Sequence, residues 1–393
     1  MVNPLTDSRF DHLLLAAYQF DLGRWLEQTQ AVKDGRITGQ ESFVTGKIEP
    51  APEETIASLS FEGSAAEREA RAVGLEALSR GEVAMLILNG GLATRFGGAV
   101  KGIVEVFDQK SFLALKAEDA RRASLDAKTP VPLVLLNSFS TGQLTKAHFA
   151  SNGFFGLAER DVLFMNQTIS VRLDPEGEPF FGEDGAPRYY APGHGEFFDV
   201  LSSSGVRRNL LDRGIKWLTF SNVDNLGATL DPVIIGSHIL SRVDMSVEVI
   251  EKRRNAQGQF DVGGSPVMVN GQLVVVEGFR FPPEFPQDSL RDFQTNNMVF
   301  SLEALGQPMD LPRYLVRKTV DGRPSLAFEA ISCEASGKRK SDGSMALSLG
   351  LLRVPREGKF GRFFPVKTRQ DLEEQREILR NRLVEGWAAR ASG

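Results

Sequence analysis

The segment LILNGGLATRFGGAVKG, residues 86–102, runs from an apolar strand into a glycine-rich turn that carries Arg95 and ends near Lys101. Gly90 and Gly91 let backbone N–H groups approach an anion closely, and Arg95 and Lys101 can meet charge on phosphate oxygens. The turn is neither a Walker A motif, which needs Gly-Lys-Ser/Thr, nor a G-x-G-x-x-G dinucleotide fingerprint. By itself it serves equally as a plain α/β connection. A second strand end, WLTFSNVDNLGATLD, presents Asp224 between Asn222 and Asn225, which suits a hard cation such as Mg2+, although a lone Asp there is also a common turn former or helix cap. In YYAPGHGEFFDVL, His194 stands between two glycines where backbone can pass close to a ligand, or where a surface turn can form. None of the 4 histidines has a metal-ligand spacing to another, so a zinc site is not expected.

The surrounding pattern says which elements must hold these residues. From Val83 onward short β-branched runs (VAMLILN, VPLVLLNS, VLFMN, IKWLTFSNVD) alternate with helical patterns (FLALKAEDARRA, QLTKAHFA, PVIIGSHILSR). Continuous apolar strands interleaved with amphipathic helices predict an α/β, doubly wound, mostly parallel sheet covered on both faces. In such sheets ligands sit beyond the carboxyl ends of the strands, where the three segments above lie. Antiparallel features are expected at MSVEVIEKR and at SPVMVNGQLVVVEGF, whose Asn-Gly pair is a hairpin turn. Residues 1–80 read as a peripheral helical region with a polar connector, VTGKIEPAPEET; 81–370 as the main domain that carries the three segments above; and 371–393 as a C-terminal helix with Leu372, Leu379, Leu383 and Trp387 on roughly one face. There is no internal repeat.

Composition bounds the function further. The chain has 393 residues with 41% hydrophobic content, ordinary for a globular protein, and its formal net charge of −5 argues against a nucleic-acid partner. A lone Cys333 excludes a disulfide framework. No stretch approaches the ~18 apolar residues of a membrane span and the start lacks a secretion signal, so a cytoplasmic protein without membrane partner is expected.

Seven ordered motifs then carry a resemblance: the 90–101 turn with Thr94, NSFST, Asn166-Gln167, PGHGE, SNVDNLGATLD, QTNN and FFPVKT. Across residues 65–375 the chain resembles the eukaryotic-type UDP-glucose pyrophosphorylase family, a superfamily that also holds UDP-N-acetylhexosamine and broad UDP-sugar pyrophosphorylases. PGHG and PVKT look like the glucose enzymes, whereas the segment before the turn and the Lys-Gly after it look closer to the hexosamine relatives. The resemblance implies a Rossmann-like, GT-A-type nucleotidyltransferase fold and uridylyl transfer from UTP to glucose 1-phosphate with Mg2+. By position, the backbone of Leu88, Asn89, Gly90 and Gly91 would hold uracil and ribose with Gly193 beside it, and Gln167 would read the base through its paired donor and acceptor. Asp224 would bind Mg2+, and Arg95, Lys101 and Lys367 would be the catalytic cations on the phosphates. His194, Gly264, Glu277 and Asn297 would line the sugar. The turn's usual third glycine is Ala93 here. Because the chain stops soon after PVKT, the β-helical C-terminal domain of the glucose enzymes is not expected, and a monomer or weak dimer is.

The chemistry also accounts for the missing nucleophile–base pair. A sugar 1-phosphate is already an anionic nucleophile, so the obstacle is bringing two anions together. Repulsion between unit charges at 4 Å is roughly 4 kcal/mol at an effective dielectric near 20, which fixed cations must offset. A catalytically silent nucleotide-sugar sensor has less need of so many cations. A glycosyltransferase often carries an Asp-x-Asp metal motif, which DNLGATLD does not contain.

Overall fold

The computed structural model describes residues 2–58, 63–93, 99–254, 258 and 260–391. Its centre is an eight-stranded sheet made of β1 (Ile56–Ser58), β2 (Val83–Leu88), β3 (Leu133–Asn137), β4 (Val162–Asn166), β5 (Trp217–Asn222), β6 (Met245–Glu251), β7 (Asp292–Ser301) and β8 (Leu349–Arg353). The spatial order is β1-β8-β6-β7-β5-β2-β3-β4. Every neighbouring pair is parallel except the two made by β7, which runs antiparallel between β6 and β5. The chain winds outward from β2 to β3 and β4, then returns to lay β5 on the other side of β2. That reversal makes the β2/β5 boundary the topological switch point, beyond whose carboxyl ends α/β sheets commonly hold their ligands.

Strand periodicity explains the two-sided burial. Along β2, Ala84, Leu86 and Leu88 enter one core and Val83, Met85 and Ile87 the other, and β3 splits Val134 and Leu136 from Leu133 and Leu135 in the same way. Nine helices are described: α1 (His12–Ala17), α2 (Leu22–Lys33), α3 (Ala65–Ser79), α4 (Phe112–Ala127), α5 (Gly142–Ser151), α6 (Phe197–Ser203), α7 (Val206–Asp212), α8 (Pro232–Ser241) and α9 (Arg369–Ala391). Side chains of α6 and α7 fill the first core, and those of α3, α4, α5, α8 and α9 the second. None of the described helices is long and apolar enough to cross a membrane.

The expected hairpin forms, with Ser265–Val269 paired to Gln272–Val276 and both Asn270 (φ 51°) and Gly271 (φ 79°) left-handed, as a type I′ turn requires. Residues 1–80 are less separate and less purely helical than expected. The polar connector contributes Ile48–Pro50 to that hairpin's sheet, and β1 follows as an edge of the central sheet. Three-residue strands are too short to show a period of two. In the same region α3 packs directly on α8, and α1 and α2 surround Trp25 and Leu15 against Val171, Leu326 and Phe328. On α9, Leu372, Leu379 and Leu383 are buried in the second core as expected, while the Trp387 side chain lies outside the described part.

Candidate active site

The end of β2 lies beside the end of β5, with Leu88 and Asn222 in register, but part of this strand end is already committed. The Leu88 carbonyl accepts from Val223 N–H at 3.1 Å, and Asn89 N–H donates to the Leu136 carbonyl at 2.8 Å. Asn89 is buried and its Nδ2 donates to Asn137 Oδ1 and Thr145 Oγ1, both at 2.8 Å. Leu88 and Asn89 therefore tie strands together. Backbone open to an anion begins at Gly90 and Gly91, whose N–H groups have no partner among the described residues. Ala93 pairs antiparallel with Ala99, so its backbone is extended and alanine meets no conformational penalty there.

Gly90, Gln167 and Gly193 are brought together. Gln167, just after β4, donates from Nε2 to the Gly193 carbonyl at 2.5 Å, and its Oε1 is so close to Gly90 that a Cβ there would lie 2.3 Å away. Gly193 has φ +93°, and a Cβ on it would lie 2.3 Å from the Ala330 carbonyl, so this turn needs glycine for both conformation and space. Ser138 of NSFST secures the arrangement by donating to the Gly90 carbonyl at 2.8 Å.

On the other flank Lys101 Nζ forms an ion pair with Asp224 Oδ2, the two side chains being 15% and 18% exposed. Asp224 Oδ1 has no partner among the described residues. A carboxylate oxygen without a partner among them is a hard donor of the kind Mg2+ takes, an ion commonly held by one or two carboxylates plus substrate and water. Among the described residues no three His, Cys, Asp or Glu side chains gather into a self-contained metal site. Lys367 emerges beside Asp224, because the preceding Val366 N–H donates to the Asp224 carbonyl at 3.1 Å. It is exposed and has no ion-pair partner among the described residues. Arg95 and Thr94 lie outside the described residues.

The residues assigned to the sugar gather on the turn Ser332–Gly337 and the entry of β7. His194 Nδ1 accepts from Ser332 N–H at 3.2 Å, with Ser332 Oγ 3.0 Å away. A backbone N–H can only donate, so Nδ1 is the bare nitrogen and the ring proton sits on Nε2. Burial pushes His194 down to about 4, which keeps the ring neutral at pH 7. Ser332 Oγ donates to Asn296 Oδ1 and Asn296 Nδ2 donates to Asn222 Oδ1, each at 3.0 Å, so a polar relay joins the histidine to the end of β5. Gln294 Nε2 donates to Glu277 Oε2 at 3.0 Å, and a Cβ on Gly264 would meet those two atoms at 2.8 and 3.0 Å. Burial holds the Glu277 carboxyl above the usual range. Asn297 is placed differently from its neighbours: it is 2% exposed, with Oδ1 accepting from Asn225 at 3.2 Å and Nδ2 facing Glu248 at 3.4 Å. Its amide is spent beneath the site, and Asn296 is the amide linked to His194.

Several residues of this neighbourhood escaped the sequence reading. Asn296 has φ 58° within β7, opposite a register shift between Val247 and Val249, a left-handed conformation that asparagine tolerates better than most residues. The buried Lys116 donates to the carbonyls of Asn225 and Ala228 at 2.7 and 2.8 Å, and burial pushes its ammonium down to about 8. Arg362 and Glu248, both buried, form a bidentate pair at 2.7 Å for each contact. A faint signal existed for each: Lys116 interrupts the apolar run FLALKA, and Glu248 stands in a strand whose two faces must both be covered.

The profile of the UTP--glucose-1-phosphate uridylyltransferase family matches residues 36–375. UTP--glucose-1-phosphate uridylyltransferase 2 of Dictyostelium discoideum is 29% identical over 344 residues, covering 83% of this chain and 63% of the relative. A probable UDP-N-acetylglucosamine pyrophosphorylase of Schizosaccharomyces pombe is 30% identical over 258 residues, covering 62% of this chain and 52% of its own. The chain thus spans between half and two thirds of the length of these curated relatives. Among solved structures, a UDP-glucose phosphorylase from Trypanosoma brucei superposes with a TM-score of 0.71 at 25% identity, covering 92% of this chain and 78% of the other. The family profile covers most of the chain, and the fold is shared with the Trypanosoma brucei structure; the chain belongs to the UTP--glucose-1-phosphate uridylyltransferase family.

Proposed function

We propose that the protein transfers the uridylyl group of UTP to glucose 1-phosphate, giving UDP-glucose and pyrophosphate. The observation that carries this reading is the pair of residue clusters at the adjoining ends of β2 and β5, Gly90 with Gln167 and Gly193 in one and Lys101 with Asp224 and Lys367 in the other. The first group supplies amide and backbone donors and acceptors of the kind a uracil edge requires. The second supplies two cations and a carboxylate where phosphates would lie. An oxygen of the sugar phosphate attacks the α-phosphorus of UTP in line, the new O–P bond forms, and the bond to the bridging oxygen of pyrophosphate breaks. Lys101 and Lys367, with Arg95, offset the repulsion of the approaching anions and the charge spread over the transferred group. Asp224 would hold Mg2+, which supplies Lewis-acid neutralisation of phosphate charge when bound. Lys101, paired with Asp224, is placed to turn toward the phosphates once they enter. His194 offers Nε2–H to a sugar hydroxyl, while Glu277 and Gln294 frame the far side.

The similarity to a UDP-N-acetylglucosamine pyrophosphorylase supports a second reading, with N-acetylglucosamine 1-phosphate as acceptor. The deciding experiment incubates the protein with UTP, Mg2+ and a panel of sugar 1-phosphates and measures pyrophosphate. Glucose 1-phosphate should give the fastest release, with ATP or dTTP far poorer than UTP; equal use of ATP would remove the role given to Gln167.

A further inference from the structure

We infer that Arg362 is a positioning residue that clamps the segment 362–367 to the loop 222–231, so that Lys367 is held toward the phosphates beside Asp224. The inference deepens the proposed reaction and rests on it for the roles of those two side chains. Arg362 is 3% exposed and reaches both β6 and the loop 222–231 at once. Its guanidinium grips Glu248 of β6 through both oxygens, and its terminal nitrogens donate to the Thr229 carbonyl at 3.3 Å. Its own carbonyl accepts from Asn225 Nδ2 at 3.1 Å.

From there the two segments are sewn together toward the site. Phe364 N–H donates to Asn225 Oδ1 at 2.9 Å, and Val366 N–H donates to the Asp224 carbonyl at 3.1 Å. Lys116 holds the same loop from below through Asn225 and Ala228, and Asp119 Oδ2 accepts from Leu230 N–H at 2.7 Å. The space bordered by Ser221, Glu248, Asn297 and Arg362 is about 20 Å³, room for a single water beside the guanidinium. A planar five-donor fork suits this site because it must satisfy a carboxylate and a carbonyl together, which a lysine ammonium cannot do with the same geometry.

The test uses the full chain and Arg362→Lys, with Glu248→Gln as a milder companion that keeps volume and one acceptor oxygen should the first variant fold poorly. Hydrogen exchange at Phe364 and Val366, the two amides that stitch the segments, should quicken by about tenfold or more while β2 and β3 amides keep their rates. In pyrophosphate release, Arg362→Lys should lower kcat about tenfold in the native background but less than about twofold in Lys367→Ala, with KM for UTP little changed, because its effect passes through the placement of Lys367. Native exchange at both amides, faster exchange across the whole sheet, or kcat losses that multiply would overturn the clamp. If the unaltered protein releases no pyrophosphate, the proposed reaction fails, while the exchange rates still decide whether the clamp exists.

Discussion

His194 shows how much a single hydrogen bond decides. Because Ser332 N–H occupies Nδ1, the imidazole presents a donor at Nε2, and the resemblance places an asparagine here in the hexosamine enzymes. An imidazole is bulkier than a carboxamide, so it should crowd a 2-acetamido group while still serving a 2-hydroxyl. Glucose 1-phosphate is therefore expected to exceed N-acetylglucosamine 1-phosphate by at least about tenfold in kcat/KM, equivalent to ~1.4 kcal/mol, and His194→Asn should narrow that gap in a competition assay. Equal use of both sugars by the unaltered protein would move the discrimination elsewhere. Lys367 offers a second expectation at this scale. It is exposed and has no ion-pair partner among the described residues, so Lys367→Ala should leave the melting temperature unchanged while kcat falls on the order of 10²-fold. A rate near that of the native protein would return this lysine to the surface.

At the level of elements, the crossing of α3 and α8 depends on two absent side chains. A Cβ on Gly74 would lie 1.9 Å from the Pro232 carbonyl oxygen, and one on Gly236 would lie 1.7 Å from that of Ala70. Both obstacles are backbone, so they cannot turn away. Gly74→Ala should destabilise the fold by about 2 kcal/mol or more, although alanine is the better helix former, and a urea-unfolding midpoint at or above the native value would show that the helices can separate without cost. The same crossing shows why periodicity alone makes residues 1–80 look peripheral. Amphipathic spacing reveals that α3 has an apolar face, but its glycine reveals nothing about which helix comes close.

Across the whole molecule, acid stability should depend on two histidine rings, His238 buried and His194 partly buried. Burial pushes both His194 and His238 down to about 4 from the usual 6.5, so between those values the unfolded chain binds protons that the folded chain does not. Their contribution is thus complete above pH 6.5 and is lost as pH falls toward 4, by on the order of 3 kcal/mol for each ring. Glu196 and Glu277, held above the usual carboxylate range chiefly by burial, act in the opposite sense. The clean measurement is therefore a difference. Between pH 7 and 4.5 the unfolding free energy of His238→Asn should fall less than that of the native protein, and parallel curves would mean that His238 titrates normally.

By itself the sequence determined the class of sheet, the hairpin at Asn270-Gly271, the identity of the strand ends and the order of the family's motifs. These are properties of short windows: a period of two, a left-handed turn residue, a glycine beside a strand. The tertiary structure alone decided that the Leu88 and Asn89 backbone belongs to the sheet, that Asn297 points its amide into the buried network while Asn296 connects to His194 through Ser332, and that a three-residue strand closes one edge. It alone also paired Arg362 with Glu248, which stand 114 residues apart. The physical reason is common to all of these. Local periodicity reports that a residue is buried, but which polar group meets it depends on strand register and loop closure, and those are settled only when distant segments pack.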